Sequence, residues 1–350
     1  MFIETTTSLT TPPVPNRTPR ASHAWNGLLP IMKPRGVISK DVSRRLERRF
    51  GKLKIGHVGT LDPNAEGVLP ILIGKATRVQ DWLLELPKTY EFTVKFGEET
   101  DSLDSDGQLV HTMPWEHLTE ESLRAVLPRF IGDIEQIPPM YSAVKFRGRP
   151  LYEYARKDIE VGVPLEQLKR RVHVMSYELL SYADGIGRFR VRCSKGTYVR
   201  ILVKDVAEAV GTCGTVIELS RTEAAGVMLA ETVSLDALEQ GTVTIEDSLM
   251  PLSRLSLGGS LRWQALNPGQ IQFLRQGRDL VVSCTDFIAG AGQKLTQEGT
   301  GIVDESRQPI VAGWAKSLML FDVDGSVFGI GAMKRHPSGM VQINLKRGLQ

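Results

Sequence analysis

Several stretches of the chain alternate between apolar and polar residues, which is the period of a β-strand with one buried face. In residues 90–96, aromatic and aliphatic side chains alternate with charged and hydroxyl side chains. In residues 188–193, three arginines alternate with apolar residues, so three guanidinium groups line one side of a predicted strand. Continuous apolar runs at 27–32 and 68–73 indicate two more strands.

Helices are indicated where apolar residues recur every three or four positions. One predicted helix has apolar residues at four-residue spacing from Val42 to Phe50, and Ser39 is its expected N-cap. A second spans residues 199–210 and ends at Gly211. Strands and helices are interspersed without a regular βαβ repeat. We therefore predict an α+β fold around a mixed or antiparallel sheet.

The composition changes towards both ends of the chain. Residues 1–24 are rich in Thr, Pro and Ser and have little apolar surface to bury, so we expect a disordered tail. From about Gly258 onward, short apolar segments between glycines are typical of a small β-barrel. These segments are residues 281–283, 310–312, 318–323 and 327–330. We predict a main domain at 25–255 and a small barrel domain at 256–350.

The overall composition is that of a globular protein, with 350 residues, 41% hydrophobic and 24% charged. Every apolar run is far shorter than the roughly 20 residues that cross a bilayer, so we expect no membrane insertion. Three widely spaced cysteines and scattered histidines indicate neither a disulfide framework nor a metal site. We predict catalysis without a metal or cofactor in the reducing cytoplasm. An acid-poor start with Arg17 and Arg20 also resembles an organelle transit peptide.

The net charge of +3 conceals an asymmetry along the chain. Residues 91–141 contain eleven acidic and three basic residues, whereas residues 142–200 contain thirteen basic and six acidic ones. Residues 40–54 add seven bases against two acids. Basic blocks separated by an acidic one favour a polyanion bound on one side of the molecule, although two solvated basic faces would give the same pattern.

One acidic residue lies in a glycine-framed loop just before an apolar run. Asp62 is preceded by Gly56 and Gly59, and it is followed by Pro63 and Gly67. Glycines allow positive φ angles and a close approach of the backbone to a bulky ligand, while Pro63 fixes the chain after the acid. An Asp-Pro turn before a strand is also ordinary architecture. The pattern makes Asp62 a candidate nucleophile and leaves a plain turn as the alternative.

The run from Gly56 to Arg78 is followed by five further motifs in order. These are Lys88-Thr89-Tyr90, the acidic stretch from Gly97 to Gly107, the stretch from Ile137 to Lys145, Leu151-Tyr152-Glu153-Tyr154-Ala155-Arg156, and the stretch from Ser194 to Arg200. Together, over approximately residues 27–255, they resemble the TruB family of tRNA pseudouridine synthases. The segment 328–335 is similar to the closing strands of the PUA-like RNA-binding domains appended to TruB enzymes.

This resemblance implies isomerisation of a uridine in the T loop of tRNA, conventionally position 55, to pseudouridine. The nucleotide must be extruded from the folded RNA into a pocket, as enzymes acting on bases require. Asp62 matches the family's catalytic aspartate, which could attack the ribose C1′ or the uracil C6, or help to abstract a sugar proton. Burial beneath a base would favour its protonation, so a cationic partner is needed, and Arg200 matches the family's arginine.

Other matched positions imply contacts with RNA. Tyr90 matches the tyrosine that stacks on the flipped base, and Tyr198 and Leu219 match positions that would wall the uracil. His57 matches a histidine that supports the displaced nucleotides by filling space. A core position is the alternative for Tyr90 and Leu219.

Three basic residues are also candidate substrate contacts. Lys33 is a candidate for contact with a phosphate, and Arg188 and Arg190 of the arginine stripe are candidates for holding the RNA strand. One departure from the family concerns the turn beside Lys33. The family usually has Asp-Lys-Pro-x-Gly, whereas Met32 stands before Lys33 here, which puts the hydrogen bonding of that turn in doubt.

The resemblance implies a stand-alone bacterial type of enzyme that acts on tRNA without a guide RNA or an obligatory protein partner. Three alternatives remain open. Asp62 and His57 would serve as an acid and base in a hydrolase that releases uracil, with Glu66 as the nearest second carboxylate. An RNA chaperone would remodel tRNA without chemistry, an activity that could also coexist with catalysis. A guide-RNA-dependent relative would act inside a multi-protein particle.

Overall fold

The structure is a computed structural model that describes residues 25–157, 159, 165–254, 261–265, 267–283, 287–288, 296–298, 301–303, 318–335, 337–338 and 340–349. Three sequence predictions lie outside the described residues. They are the disordered tail at 1–24, the strand at 310–312 and the boundary between residues 255 and 256.

The first part of the chain forms a large sheet and two small hairpins. Its strands are β1 (Gly27–Lys33), β2 (Ile55–His57), β3 (Glu66–Ile73), β4 (Lys88–Phe96), β5 (Glu98–Thr100), β6 (Leu109–Thr112), β7 (Gly132–Gln136), β8 (Lys145–Phe146), β9 (Arg149–Pro150), β10 (Arg170–Ala183), β11 (Ile186–Cys193), β12 (Gly214–Ala224), β13 (Val227–Met228) and β14 (Val233–Ser234). The main path of the sheet runs β14-β1-β3-β12-β4-β11-β10-β7. Two of its pairs, β1 with β14 and β12 with β3, are parallel, so the sheet is mixed.

Helices fill the connections between these strands. They are α1 (Ser39–Phe50), α2 (Gln80–Glu85), α3 (Glu120–Val126), α4 (Leu151–Arg156), α5 (Val199–Ala209), α6 (Leu235–Gln240) and α7 (Ile245–Ser248), with 3-10 helices at Gly74–Val79, Leu127–Phe130, Leu165–Leu168, Leu229–Glu231 and Leu252–Arg254. The predicted α+β fold with a mixed sheet is confirmed. The two helices predicted from apolar spacing correspond to α1 and α5.

In strands β4 and β11, consecutive side chains point to opposite faces of the central sheet. Phe92 and Phe189 are paired across the two strands and stack with their ring centroids 5.6 Å apart. They belong to a buried cluster in which α5 contributes Leu202 and Val206. This burial supplies the hydrophobic stabilisation of the main domain and fixes the beginning of α5, which carries Arg200, against the sheet.

The last part of the chain forms a second, six-stranded sheet. Its elements are β15 (Leu261–Gln264), α8 (Pro268–Arg275), β16 (Leu280–Val282), β17 (Phe287–Ile288), β20 (Leu318–Phe321), β21 (Val327–Arg335) and β22 (Val341–Gly348), while β18 (Thr296–Glu298) and β19 (Gly301–Val303) form a separate pair. The order is β16-β22-β21-β20-β15-β17, consistent with a PUA-like domain. Arg78 donates to the carbonyl of Gly348 at 2.7 Å, and Arg347 donates back to the carbonyl of Arg78 at 3.1 Å, so β22 is bonded to the main domain.

Within the described residues, every helix is too short or too polar to span a membrane.

Candidate active site

Asp62 lies in the loop between β2 and β3, and α1 holds the residue before it. The Ser39 hydroxyl accepts a hydrogen bond from the Leu61 amide at 2.9 Å and donates one to the Leu61 carbonyl at 3.0 Å. The sequence predicted Ser39 as the N-cap of the helix, but Ile38 occupies the N-cap position. The Ser39 hydroxyl is instead committed to the loop, so it fixes the backbone immediately before Asp62.

Lys33 holds the same loop on the other side of Asp62. The Lys33 side chain is buried, and its Nζ donates to the carbonyls of Pro34 at 2.9 Å, Pro63 at 3.2 Å and Ala65 at 2.6 Å. Burial lowers the pKa of Lys33 to about 8, and the nearby Asp62 carboxylate opposes this shift. The ammonium group does not reach the surface, so its position does not offer the phosphate contact predicted from the sequence.

Arg221 fixes the beginning of the loop. It is buried on β12, where Nε donates to the Val68 carbonyl at 2.8 Å and Nη2 to the Gly59 carbonyl at 3.0 Å. Gly59 and Gly67 have positive φ angles of 79° and 108°, as predicted, whereas Gly56 does not. A Cβ on Gly67 would lie 2.3 Å from the Arg221 carbonyl oxygen, so this close approach of β3 and β12 requires glycine.

The Asp62 carboxylate is paired with Arg200 at the beginning of α5. Arg200 Nη2 lies 2.8 Å from Asp62 Oδ2, and Nη1 lies 3.2 Å from Asp104 Oδ2. The same guanidinium donates to the carbonyls of Ser102 at 2.8 Å and Tyr141 at 2.9 Å. Since only 4% of the Arg200 side chain is exposed, its donors are committed to these partners and it links three loops around Asp62.

The surroundings of Asp62 favour the protonated, neutral form of its carboxyl group more strongly than bulk water would. Burial raises the pKa of the Asp62 carboxyl, and the neighbouring Asp104 carboxylate adds to the rise, whereas Arg200 and Lys33 oppose it. Although 40% of the side chain meets solvent, the solvent is confined to a narrow cleft. A ligand that filled this cleft would remove that water, so the ion pair with Arg200 is what favours the charged carboxylate.

Asp62 forms part of the wall of a narrow cleft of about 10 Å³, which is room for about one water molecule. The other lining residues are Asn64, Ala65, Asp104, Ser105, Arg200, Val216, Ile217, Glu218 and Leu219. The register of β12 with β4 shifts between Val216 and Glu218, and this irregularity brings consecutive residues of β12 to the cleft. Leu219 contributes an apolar side chain to this lining.

Tyr90 lies beside this cleft on the strand adjoining β12. It pairs across the strands with Arg221. Burial raises the pKa of Tyr90, so the phenol is neutral at pH 7. Tyr90 packs against the main buried cluster, as its core interpretation predicted, and it does not line the cleft.

Tyr198 and His57 lie on other elements near the Asp62 loop. Tyr198 precedes α5, and Arg170 Cζ lies 5.6 Å from its ring centroid. His57 ends β2, where burial and Arg221 lower the pKa of its imidazole and favour the neutral ring. Neither residue lines the cleft described above.

Comparisons with known proteins identify the chain. A family model described as TruB family pseudouridylate synthase (N terminal domain) matches residues 47–199. The tRNA pseudouridine synthase B of Aromatoleum aromaticum is 42% identical over 260 residues, which cover 74% of this chain and 82% of that protein. The protein of the same name from Bordetella avium is 42% identical over 241 residues, covering 68% and 97%. The chain belongs to the TruB family.

The three-dimensional comparison agrees with this assignment at the level of the fold. A chain in the crystal structure of a Cbf5-Nop10-Gar1 complex has a TM-score of 0.65 and 20% identity, covering 94% of this chain and 86% of that one. A chain of an archaeal box H/ACA sRNP Nop10-Cbf5 complex has a TM-score of 0.62 and 18% identity, covering 94% and 88%. These two chains therefore share the fold of this TruB-family chain.

The arginine stripe of this TruB-family chain lies away from the cleft. Arg188 and Arg190 alternate with the buried residues of β11, so they project from the sheet face opposite the core that contains Phe189. Their side chains are 60% and 44% exposed, and Arg190 donates to Glu91 at 2.7 Å while Arg188 lies 3.9 Å from the same carboxylate. The structure does not bring these two arginines together with Asp62.

Three residues at the TruB-family site escaped the sequence analysis. Arg221 follows Leu219 at the two-residue spacing of a strand face, and an arginine at an apolar position of that pattern was the available signal. Asp104 belongs to the acidic motif at 97–107 but carried no sign of its pairing with Arg200. Arg35 lies in the turn after β1, where its Nη2 donates to Ser105 Oγ at the rim of the cleft at 3.0 Å.

Proposed function

We propose that the protein isomerises uridine 55 in the T loop of tRNA to pseudouridine, with Asp62 as the essential catalytic residue. Relatives that are 42% identical are named tRNA pseudouridine synthase B, which supports tRNA as the substrate. The observation that carries the assignment of the residue is the 2.8 Å contact of Asp62 with Arg200 at the wall of the cleft. The proposed reaction requires a carboxylate whose charged form a neighbouring cation favours, at the wall of a cleft that opens to a base.

The reaction exchanges one bond to the ribose for another. The bond between uracil N1 and C1′ breaks, the bond between C5 and C1′ forms, the hydrogen at C5 leaves as a proton, and N1 gains a proton. In our proposal the uridine is extruded from the T loop, and the narrow cleft widens so that the base enters between Leu219 and Asp62. The carboxylate then attacks C1′ or C6, or abstracts a sugar proton, and Tyr90 stacks beside the base.

A polar atom in the cleft supports a base as the ligand. Asn64 lines the cleft, and its Nδ2 is buried without an acceptor among the described residues. Buried donors are nearly always hydrogen-bonded, because an unpaired one costs roughly 1–3 kcal/mol. A carbonyl oxygen of uracil would provide the acceptor that this amide needs.

The groups around the loop position Asp62 and do not react in this proposal. Ser39, Lys33 and Arg221 bind backbone atoms on both sides of Asp62, so the loop enters the reaction already ordered. We assign this positioning role to Lys33 in place of a phosphate contact. His57 and Tyr198 would support nucleotides outside the cleft, and we leave Arg188 and Arg190 out of the uridine site.

The test is release of tritium from an unmodified tRNA transcript labelled at C5 of uracil, with purified protein and no guide RNA. We expect the wild type to release tritium from the T loop and Asp62→Asn to lose at least roughly 1,000-fold of the rate. Arg200 retains Asp104 and two carbonyls in this variant, so folding and tRNA binding persist. Asp106→Asn makes the same chemical change on an exposed residue of the neighbouring loop and should leave the rate unaltered.

Each contrary result identifies a different error. A fully active Asp62→Asn enzyme would remove the assigned residue, and free uracil in the products would indicate hydrolysis. Tritium release only after a guide RNA is added would place the protein with the guide-dependent enzymes. No tritium release together with faster folding of tRNA would indicate a chaperone alone. A chaperone activity that accompanies catalysis would persist in Asp62→Asn, because it requires binding and no chemistry.

A further inference from the structure

Arg35 spans the mouth of the cleft between two of its walls. It is exposed in the turn after β1, and Nη2 donates to Ser105 Oγ at 3.0 Å and to the Ile217 carbonyl at 3.4 Å. Ser105 and Ile217 both line the cleft that contains Asp62. A single guanidinium group therefore lies where an RNA strand must pass when its base enters.

The cleft has the wrong charge for RNA without such a group. Among the described residues that line it, Asp62, Asp104 and Glu218 are acidic and Arg200 is the one base. An RNA strand brings a negative phosphate on each side of the extruded nucleotide. Like charges at a few ångströms repel, and water-poor surroundings strengthen the repulsion. A cation at the mouth would offset this cost.

The buried cations near Asp62 are not free to meet a phosphate. Arg200 is committed to two carboxylates and two carbonyls, and Lys33 Nζ donates to three carbonyls. Arg221 donates to the carbonyls of the Asp62 loop and β3. Moving any of these groups towards solvent would leave buried carbonyls without donors, at roughly 1–3 kcal/mol each. Arg35 differs from them because it is exposed and its two acceptors are uncharged.

We propose that Arg35 leaves Ser105 and Ile217 when RNA binds and donates two hydrogen bonds to a phosphate that adjoins the extruded uridine. The exchange is favourable because a hydrogen bond to a charged oxygen is about twice as strong as a bond to a neutral one, and the guanidinium fork matches a phosphate. The same residue thus bridges the mouth of the cleft before RNA binds and holds the substrate strand afterwards. This inference rests on the proposed function, since it assumes that the nucleotide enters this cleft.

The test is a thermodynamic cycle on a T-arm hairpin with the target uridine. The phosphates on its two sides are replaced, one at a time, by uncharged methylphosphonate linkages. Binding to the wild type, Arg35→Gln and Arg35→Lys is measured over a range of salt concentrations. The control is Arg254→Gln, which removes the same charge from an exposed arginine paired with Glu231 on the 3-10 helix Leu252–Arg254. Tritium release is measured for every protein in parallel.

We expect Arg35→Gln to raise Kd about three- to tenfold and to reduce the slope of log Kd against log salt by about 0.7 to 0.9, the value of one phosphate contact. Arg35→Lys keeps the slope and recovers part of the affinity, and Arg254→Gln behaves as the wild type. One of the two neutral linkages weakens binding to the wild type but has no further effect in Arg35→Gln.

The inference would be overturned if, for both linkages, the loss of affinity from the neutral linkage simply added to the loss from Arg35→Gln. An unchanged salt slope in Arg35→Gln would also overturn it. These outcomes are separate from the proposed function. A wild type that binds with the expected coupling but releases no tritium supports the phosphate contact and refutes the isomerase. A wild type that releases tritium without any coupling supports the isomerase and refutes the role of Arg35.

Discussion

Two sets of cationic side chains in this protein have different kinds of hydrogen-bond and ion-pair partners. Arg200, Lys33 and Arg221, around the cleft, are buried and donate largely to backbone carbonyls. Arg188, Arg190 and Arg192, on the other face of the sheet, are exposed and lie beside the carboxylates of Glu91, Glu178 and Glu223. The chemistry of the side chains is similar, but their partners are not.

The difference indicates what each set contributes. A hydrogen bond from a charged donor is worth roughly 1.5–3 kcal/mol, and each buried cation makes several, so these residues fix the backbone around Asp62. Exposed ion pairs are worth about 0–1 kcal/mol, and the paired charges cancel at a distance. We therefore expect that the cleft cations shape the site, whereas the paired arginines contribute little to either stability or attraction of RNA.

Among the cations of these two sets, the largest expected effect comes from removing Arg200. In Arg200→Met, Asp62 loses its partner while Asp104 remains nearby, so the pKa of Asp62 rises further. We expect the rate of pseudouridine formation at pH 7 to fall at least roughly 100-fold. A carboxyl group with a raised pKa is protonated at low pH and ionises as the pH increases. The residual rate should therefore increase with pH, as measured by single-turnover tritium release between pH 6 and 9.

Arg200→Lys is the matched control. It keeps a positive charge, but it loses the guanidinium group that contacts Asp62 and Asp104 at the same time. It should retain more activity than Arg200→Met and a flatter dependence on pH. Thermal unfolding of both variants shows whether the loss arises from misfolding. A rate for Arg200→Met that equals the wild type at every pH would show that the ion pair is not needed to keep Asp62 charged.

The next effect concerns Arg221 and the shape of the loop. Arg221→Met leaves the carbonyls of Gly59, Thr60 and Val68 without their donor. We expect the free energy of unfolding to fall by about 2–4 kcal/mol, as measured by urea denaturation. The protein that remains folded should isomerise the uridine in tRNA more slowly, because Asp62 is less firmly positioned.

Ser39→Ala is a milder change at the same loop, and its effect on the free energy of unfolding can be compared with that of Arg221→Met. It removes one hydroxyl that binds Leu61, so its cost should be smaller, about 1 kcal/mol. If Arg221→Met were no less stable than Ser39→Ala, the carbonyls around the loop would not depend on the buried guanidinium.

The elements could be predicted from the sequence because their signals are local. The alternation in residues 90–96 identified β4, and apolar spacing from Val42 to Phe50 identified α1. The glycines around Asp62 indicated a special loop, and two of them have the positive φ angles that were expected. The pairing of Asp62 with Arg200 was suggested by matched family motifs, since the two residues are far apart in the chain.

The partners of the cations could not be predicted in the same way. Arg190 and Arg192 form a basic stripe in the sequence, but Glu91 lies 99 residues from Arg190 and Glu223 lies 31 residues from Arg192. Only the order of strands in the sheet brings them together. The carbonyl acceptors of Lys33 and Arg221 leave no trace in the sequence at all, because every residue has one. The sequence therefore showed which side chains are positively charged, but it did not show which groups they bind.

The smallest expected effect concerns the paired arginines. In the double variant Arg188→Gln with Arg190→Gln, Glu91 loses both of its partners, and the charges removed were already offset. We expect tRNA affinity to change less than about twofold and the salt slope to stay within about 0.3 of the wild type. The measurement is the binding of a tRNA transcript over a range of salt concentrations. A slope reduced by more than about 1 would mean that these pairs open to meet phosphates, and the outer face of the sheet would then be part of the RNA interface.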